Sequence, residues 1–154
     1  MGLLNKLKGA VNFVTGGAAK VQIEYEPSTA VPGQTIHVKV TATSTGSEVK
    51  SKGIFIDLRS VERVRITKRD HGDLDHDLDI MKTTFDTEVK IADDFVLGAD
   101  ETRVFEGTVN MPDNVQPTFD GRFVSHAWEI RGRVEARGND PDSGFKPIRV
   151  GMKQ

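Results

Sequence analysis

The sequence predicts an all-β fold, an antiparallel β-sandwich of seven or eight strands led by a short amphipathic helix. Three observations carry that prediction. From Ala127 to Arg137 the chain alternates with a period of two: Trp128, Ile130, Gly132, Val134 and Ala136 against Glu129, Arg131, Arg133, Glu135 and Arg137. This is a half-buried strand with its charged face in water, since a helix would spread those charges around its circumference. Similar alternating runs recur, separated by turns rich in Gly, Pro, Asn and Asp. Beyond residue 17, every patterned run reads as strand.

The helix comes first. Leu3, Leu4, Leu7, Ala10, Val11 and Val14 fall on one side at helical spacing, and Thr15-Gly16-Gly17 suits a helix C-terminus. Its apolar side is expected to dock on the domain or a second copy. With Lys6, Lys8 and Lys20 nearby, it is also a candidate for weak peripheral membrane contact. Residues 1–17 are assigned to this helix and 18–154 to the sandwich.

In the first strand Val21, Ile23 and Tyr25 alternate with Gln22, Glu24 and Glu26, before turns at Pro27-Ser28 and Val31-Pro32-Gly33-Gln34. In the second, Ile36, Val38, Val40 and Ala42 alternate with His37, Lys39, Thr41 and Thr43. Beyond Gly46-Ser47 come Ile54, Ile56 and Leu58, after which the apolar phase is read as shifting to Val64 and Ile66, with a bulge or break near Ser60. Thr83 to Ile91, Arg103 to Asn110, the Trp128 strand and Pro147 to Val150 complete the set.

Composition excludes several functions. The 154 residues carry a formal net charge of −2, and no Lys/Arg run exceeds two, which argues against a nucleic-acid partner. There is no cysteine, so disulfides, thiolate zinc sites and a cysteine nucleophile are ruled out. The longest apolar stretches fall far short of a membrane span, and Asn5, Lys6, Lys8 and Asn12 interrupt any signal-peptide core, so a cytoplasmic protein is expected.

Candidate chemistry concentrates in KRDHGDLDHDLDI, Lys68 to Ile80. Asp73, Asp75, Asp77 and Asp79 alternate with Leu74, His76, Leu78 and Ile80, so carboxylates could share one side of an extended segment and meet a hard cation. An EF-hand fits badly, because Leu78 holds the glycine position and Thr84 the final glutamate position. His71 and His76 lack a zinc-site spacing. The bland alternative is a solvated loop that keeps an edge soluble. Ser125 and His126 are adjacent but on a strand face opposite ways, so they form no nucleophile–base pair, and His126 shares the core parity of Trp128. No GxSxG, HExxH or phosphate-cradling glycine loop occurs. No catalytic residue, metal ligand set or cofactor is assigned, and the protein is read as a non-enzyme.

VPGQTIHVKV (Val31 to Val40) resembles the PGE-x-V-x-G-x-V segment of arrestin-like domains, themselves immunoglobulin-like sandwiches. VFEGTVNMPDNVQPTFDGRFVSHAWEIRGRVEA (Val104 to Ala136) resembles their later segment, with the Pro112 turn, the Thr118-Phe119-Asp120-Gly121 corner and the long strand in the same order. GFKPIRV (Gly144 to Val150) matches the last strand. Within that superfamily, Met1 to Gln34 is most similar to bacterial sporulation-control proteins, which open with a short helix, a Gly-Ala-Lys-Val stretch and the PG turn. The resemblance implies a regulatory or adaptor protein that binds protein partners through sandwich edges and loops. Members carry two sandwiches in tandem and this chain is read as one, so a homo-oligomer, a dimer, is expected. The contacts are expected through Leu3, Leu4, Leu7, Val11 and Val14 of the helix. The second expected contact is the loop from Asp70 to Asp79, through His71, Asp73, Asp75, His76 and Asp77, as a partner or cation contact. A divalent-metal-binding module centred on residues 70–79 is the alternative.

Overall fold

The structure, a computed structural model, describes residues 15–16 and 18–153. The expected helix residues Leu3, Leu4, Leu7, Val11 and Val14 lie outside the described residues. Thr15–Gly16, expected to end that helix, instead pairs as a strand with Ala19 and Lys20. Eleven strands form among the described residues. They are β1 (Thr15–Gly16), β2 (Ala19–Glu26), β3 (Thr29–Ala30), β4 (Thr35–Ser44), β5 (Val49–Ile66) and β6 (Leu78–Ala92). There follow β7 (Phe95–Leu97), β8 (Thr102–Asn110), β9 (Phe119–Asp120), β10 (Val124–Ala136) and β11 (Lys146–Val150). The long strands match the predicted runs. The pieces of two or three residues are too short to show a period of two, so the sequence alone does not reveal them.

Two sheets result. One runs β1-β2-β4-β8; the other runs β3-β11-β10-β5-β6, with β7 also on β5 and β9 also on β10. One pairing departs from the antiparallel expectation: Thr29 and Ala30 of β3 lie parallel to Arg149 and Val150 of β11.

A register shift between β5 and β6 falls between Ser60 and Val61, at the expected place. The extra residue, however, belongs to β6: Ser60 opposes Phe85 and Val61 opposes Thr83, leaving Thr84 over. β5 itself pairs with β10 without a shift from Val64 down to Gly53. Ile54, Ile56, Leu58, Val64 and Ile66 therefore share one face, and the apolar phase does not slip within β5.

The sheets close on a core of Ile36, Val38, Val40, Ile54, Ile56, Leu58, Trp128, Ile130 and Ile148. Trp128 donates its indole Nε1–H to the Gln116 carbonyl at 2.9 Å, so its one polar atom is satisfied. Two glycines mark where the layers approach most closely. A Cβ at Gly132 would sit 2.9 Å from Val40 Cγ2, and one at Gly107 would sit 2.7 Å from Ile91 Cβ. Tyr25 ties the open side, its hydroxyl donating to the Pro147 carbonyl at 2.6 Å.

Candidate interaction surface

The two sheets differ in height. β4 has 10 residues and β5 has 18. Gly132 faces Val40 across the core. Five residues up each strand from that contact, β4 begins at Thr35 beside Asn110, the end of β8, level with Ala127 of β10. β5 continues from Val61, opposite Ala127, to Ile66, about 17 Å farther at strand rise. The upper ends of β5, β6, β9 and β10 thus overhang the four-stranded sheet.

On the overhang the core-side face carries rows fixed by register. Phe119, His126, Glu62 and Lys82 form one row. Val124, Val64 and Ile80 form the next, then Ile66 and Leu78. His126 is 3% exposed, whereas Val124 is 39%, Phe119 46% and Ile80 55% exposed. His126 is held there by donating Nδ1–H to the Pro117 carbonyl at 3.0 Å, which matches its expected core parity. On the other face Met81 is 68% exposed.

β6 is the last strand of its sheet, hydrogen-bonded on one side only. Near its C-terminal end Ile91 packs on Gly107 of β8. From Asp79 to Thr84 every residue is exposed, with apolar Ile80 and Met81 on opposite faces. That stretch is an open edge. The sequence signal is the adjacent Ile80-Met81 pair, which falls between the expected loop, Asp70 to Asp79, and the expected strand, Thr83 to Ile91.

The acidic segment divides. Residues 67–77 form the turn between β5 and β6, whereas Asp79 and Ile80, expected in the loop, are strand residues. Asp70 Oδ2 accepts the Thr67 N–H at 3.0 Å and hydroxyl at 2.8 Å, Asp77 Oδ1 accepts the Lys68 N–H at 2.9 Å, and Asp79 pairs with Arg63 at 2.6 Å. Asp70 and Asp77 organise the turn they stand in, and Asp79 ties β6 to β5. His71, Asp73, Asp75, His76 and Asp77 are all exposed, and among the described residues no three His, Asp or Glu side chains converge as a metal-holding group.

Sequence reasoning placed the charged face of the Trp128 strand in water, and the structure makes it a network. Asp57, 6% exposed, accepts from Arg131 Nε at 2.8 Å and from Arg133 Nε at 3.3 Å. Arg133 also pairs with Glu88 and, at 3.3 Å, with Asp140. Burial by itself would lower the Arg133 pKa, but the Asp57 hydrogen bond and the charges of Asp57, Glu88 and Asp140 outweigh it and raise it. Two guanidiniums approach the Phe145 ring, Arg59 at 3.6 Å and Arg131 at 4.4 Å from its centre. A cleft of about 800 Å³ opens here. Its three arginines each have a carboxylate partner, and the network binds the 139–145 return to β5, β6 and β10.

No helix among the described residues is long and apolar enough to cross a membrane. No family model matches the sequence, and no curated protein matches it. Among solved structures, the chain is similar to Spo0M, a sporulation control protein from Bacillus subtilis, at 20% identity and a TM-score of 0.64. The match covers 90% of this chain and 51% of that one, so the chain spans about half the length of the protein it matches. What that likeness establishes is the fold, the sandwich that the quoted motifs led us to expect.

Proposed function

We propose that this protein, which resembles a sporulation-control protein in fold, is a non-enzymatic regulatory or adaptor protein that binds other protein chains through its sandwich edges. The observation that carries this reading is the overhanging edge of β6, exposed on both faces from Asp79 to Thr84. A free edge offers a row of main-chain donors and acceptors, and proteins that do not use such an edge blunt it with charge, proline or a covering element. Here Ile80 and Met81 stand exposed on opposite faces of the edge, between Asp79 and Lys82. The structural likeness to a protein described as a sporulation control protein supports a regulatory role.

The test is affinity capture from the source cell's lysate with the wild-type chain and with Thr84→Pro as parallel baits. Thr84 is the bulge residue, where proline is tolerated in a sheet edge. A partner retained by the wild type and lost by a folded Thr84→Pro variant is the expected result. Equal retention by both moves the contact away from β6.

A further inference from the structure

We propose that the occupant of the overhanging β6 edge is a second copy of this chain, paired antiparallel β6 to β6 about a two-fold axis at Met81. This rests on reading that edge as chain-binding and names its partner. Leu78 to Lys82 is apolar on both faces at one point, with Ile80 toward the core side and Met81 opposite. Its two charges, Asp79 and Lys82, are of opposite sign. Asp79 bonds Arg63 at 2.8 and 2.6 Å, and Lys82 stands across from Glu62. The stretch is therefore neutral as a whole, and a neutral strand that is apolar on both faces at the same position fits it better than a strand of one charge sign. This chain's own β6 is such a strand.

Register supports the axis. Antiparallel pairing centred on Met81 sets Met81 against its own copy on the outer face, because a residue on a two-fold axis meets itself. Inside, Ile80 lies opposite the aliphatic stem of the second copy's Lys82 and diagonal to its Ile80. Asp79 falls opposite Thr83, so no like charges oppose. The four-stranded sheet stops at Thr35 and Asn110, below this stretch, so β8 leaves it clear. An inverted copy then has its body beyond the far end of the overhang, and the two seven-stranded sheets become continuous.

Because the chain has no cysteine, single thiols report the axis cleanly. Opposed residues in an antiparallel pair have Cα atoms about 4.5–5.5 Å apart, within disulfide reach. Met81→Cys is tested under mild oxidation against Val96→Cys, a second exposed position on β7, with wild-type sedimentation at high micromolar concentration alongside. The expected result is a wild-type dimer and Met81→Cys cross-linking about tenfold or more faster than Val96→Cys, since pairing holds the thiols at about millimolar effective concentration. A monomeric wild type, or equal cross-linking at the two positions, overturns the proposal. Capture of a lysate partner that Thr84→Pro abolishes, with Met81→Cys monomeric, sinks self-pairing and leaves the protein-binding reading standing. A Met81→Cys dimer with nothing captured from lysate supports self-pairing and argues against a different protein at that edge.

Discussion

Asp57 shows what a single residue contributes here. It is a nearly buried carboxylate on the solvent-side face of β5, and it is tolerable there because two guanidiniums reach it. Removing its charge leaves Arg131 and Arg133 short of a partner, and uncompensated buried charge costs more than a lost surface pair returns. Asp57→Asn should therefore destabilise by about 2 kcal/mol, read as a fall of roughly 4–8 °C in the thermal midpoint. An exposed pair such as Lys39–Glu24, at 3.6 Å, should by contrast be worth under about 1 kcal/mol. Acid sensitivity also resides in single carboxylates. The Gly98 N–H, then Arg103, hold Glu101 below its ordinary 4.5, and the Arg63 hydrogen bond holds Asp79 below 3.8. Because these folded pKa values are depressed, their stabilisation is complete above the ordinary values and is lost as pH falls through the folded ones. Stability measured by denaturant should decline below about pH 4.5, and the double variant Glu101→Gln, Asp79→Asn should flatten that decline. An unchanged acid slope would contradict the assignment.

Elements hold together where the sheets come closest. At Gly132 the layers approach so tightly that a side chain must displace Val40, so Gly132→Val should cost about 1–3 kcal/mol by overpacking. A thermal midpoint equal to wild type would show that the layers can separate there. The same paragraph of sequence that exposed this strand also shows the limits of pattern reading. Val38, Val40, Ile54, Ile56, Trp128 and Ile130 announce their faces because one side of each strand is core and the other water. β6 does not, because both of its faces meet solvent above the bulge, and Leu-Asp-Ile-Met-Lys then alternates with nothing. Ile54, Ile56, Leu58, Val64 and Ile66 of β5 keep one parity, so the phase shift read near Ser60 is not there; the bulge opposite it is Thr84 of β6 and depends on pairing, which no single strand records. The loop acids were legible as charges but not as turn-makers, since Asp70 and Asp77 bond backbone atoms of Thr67 and Lys68 that only the folded turn brings near.

For the whole molecule, the decisive fact is a mismatch between its two sheets. A short sheet covers the lower part of a long one, and the uncovered end presents Val64, Ile80, Val124 and Phe119 on one face with an open strand edge beside them. Two-layer architecture buries such faces and edges, and on the reading proposed above the overhang is the part of the fold that another chain would complete. The measurement that tests this most directly is amide hydrogen exchange along β6, at rising protein concentration and with any captured partner added. Our account predicts that amides between Leu78 and Thr84 slow markedly while those on the free edge of β8 do not change. Exchange in that stretch that stays fast under every condition would contradict it.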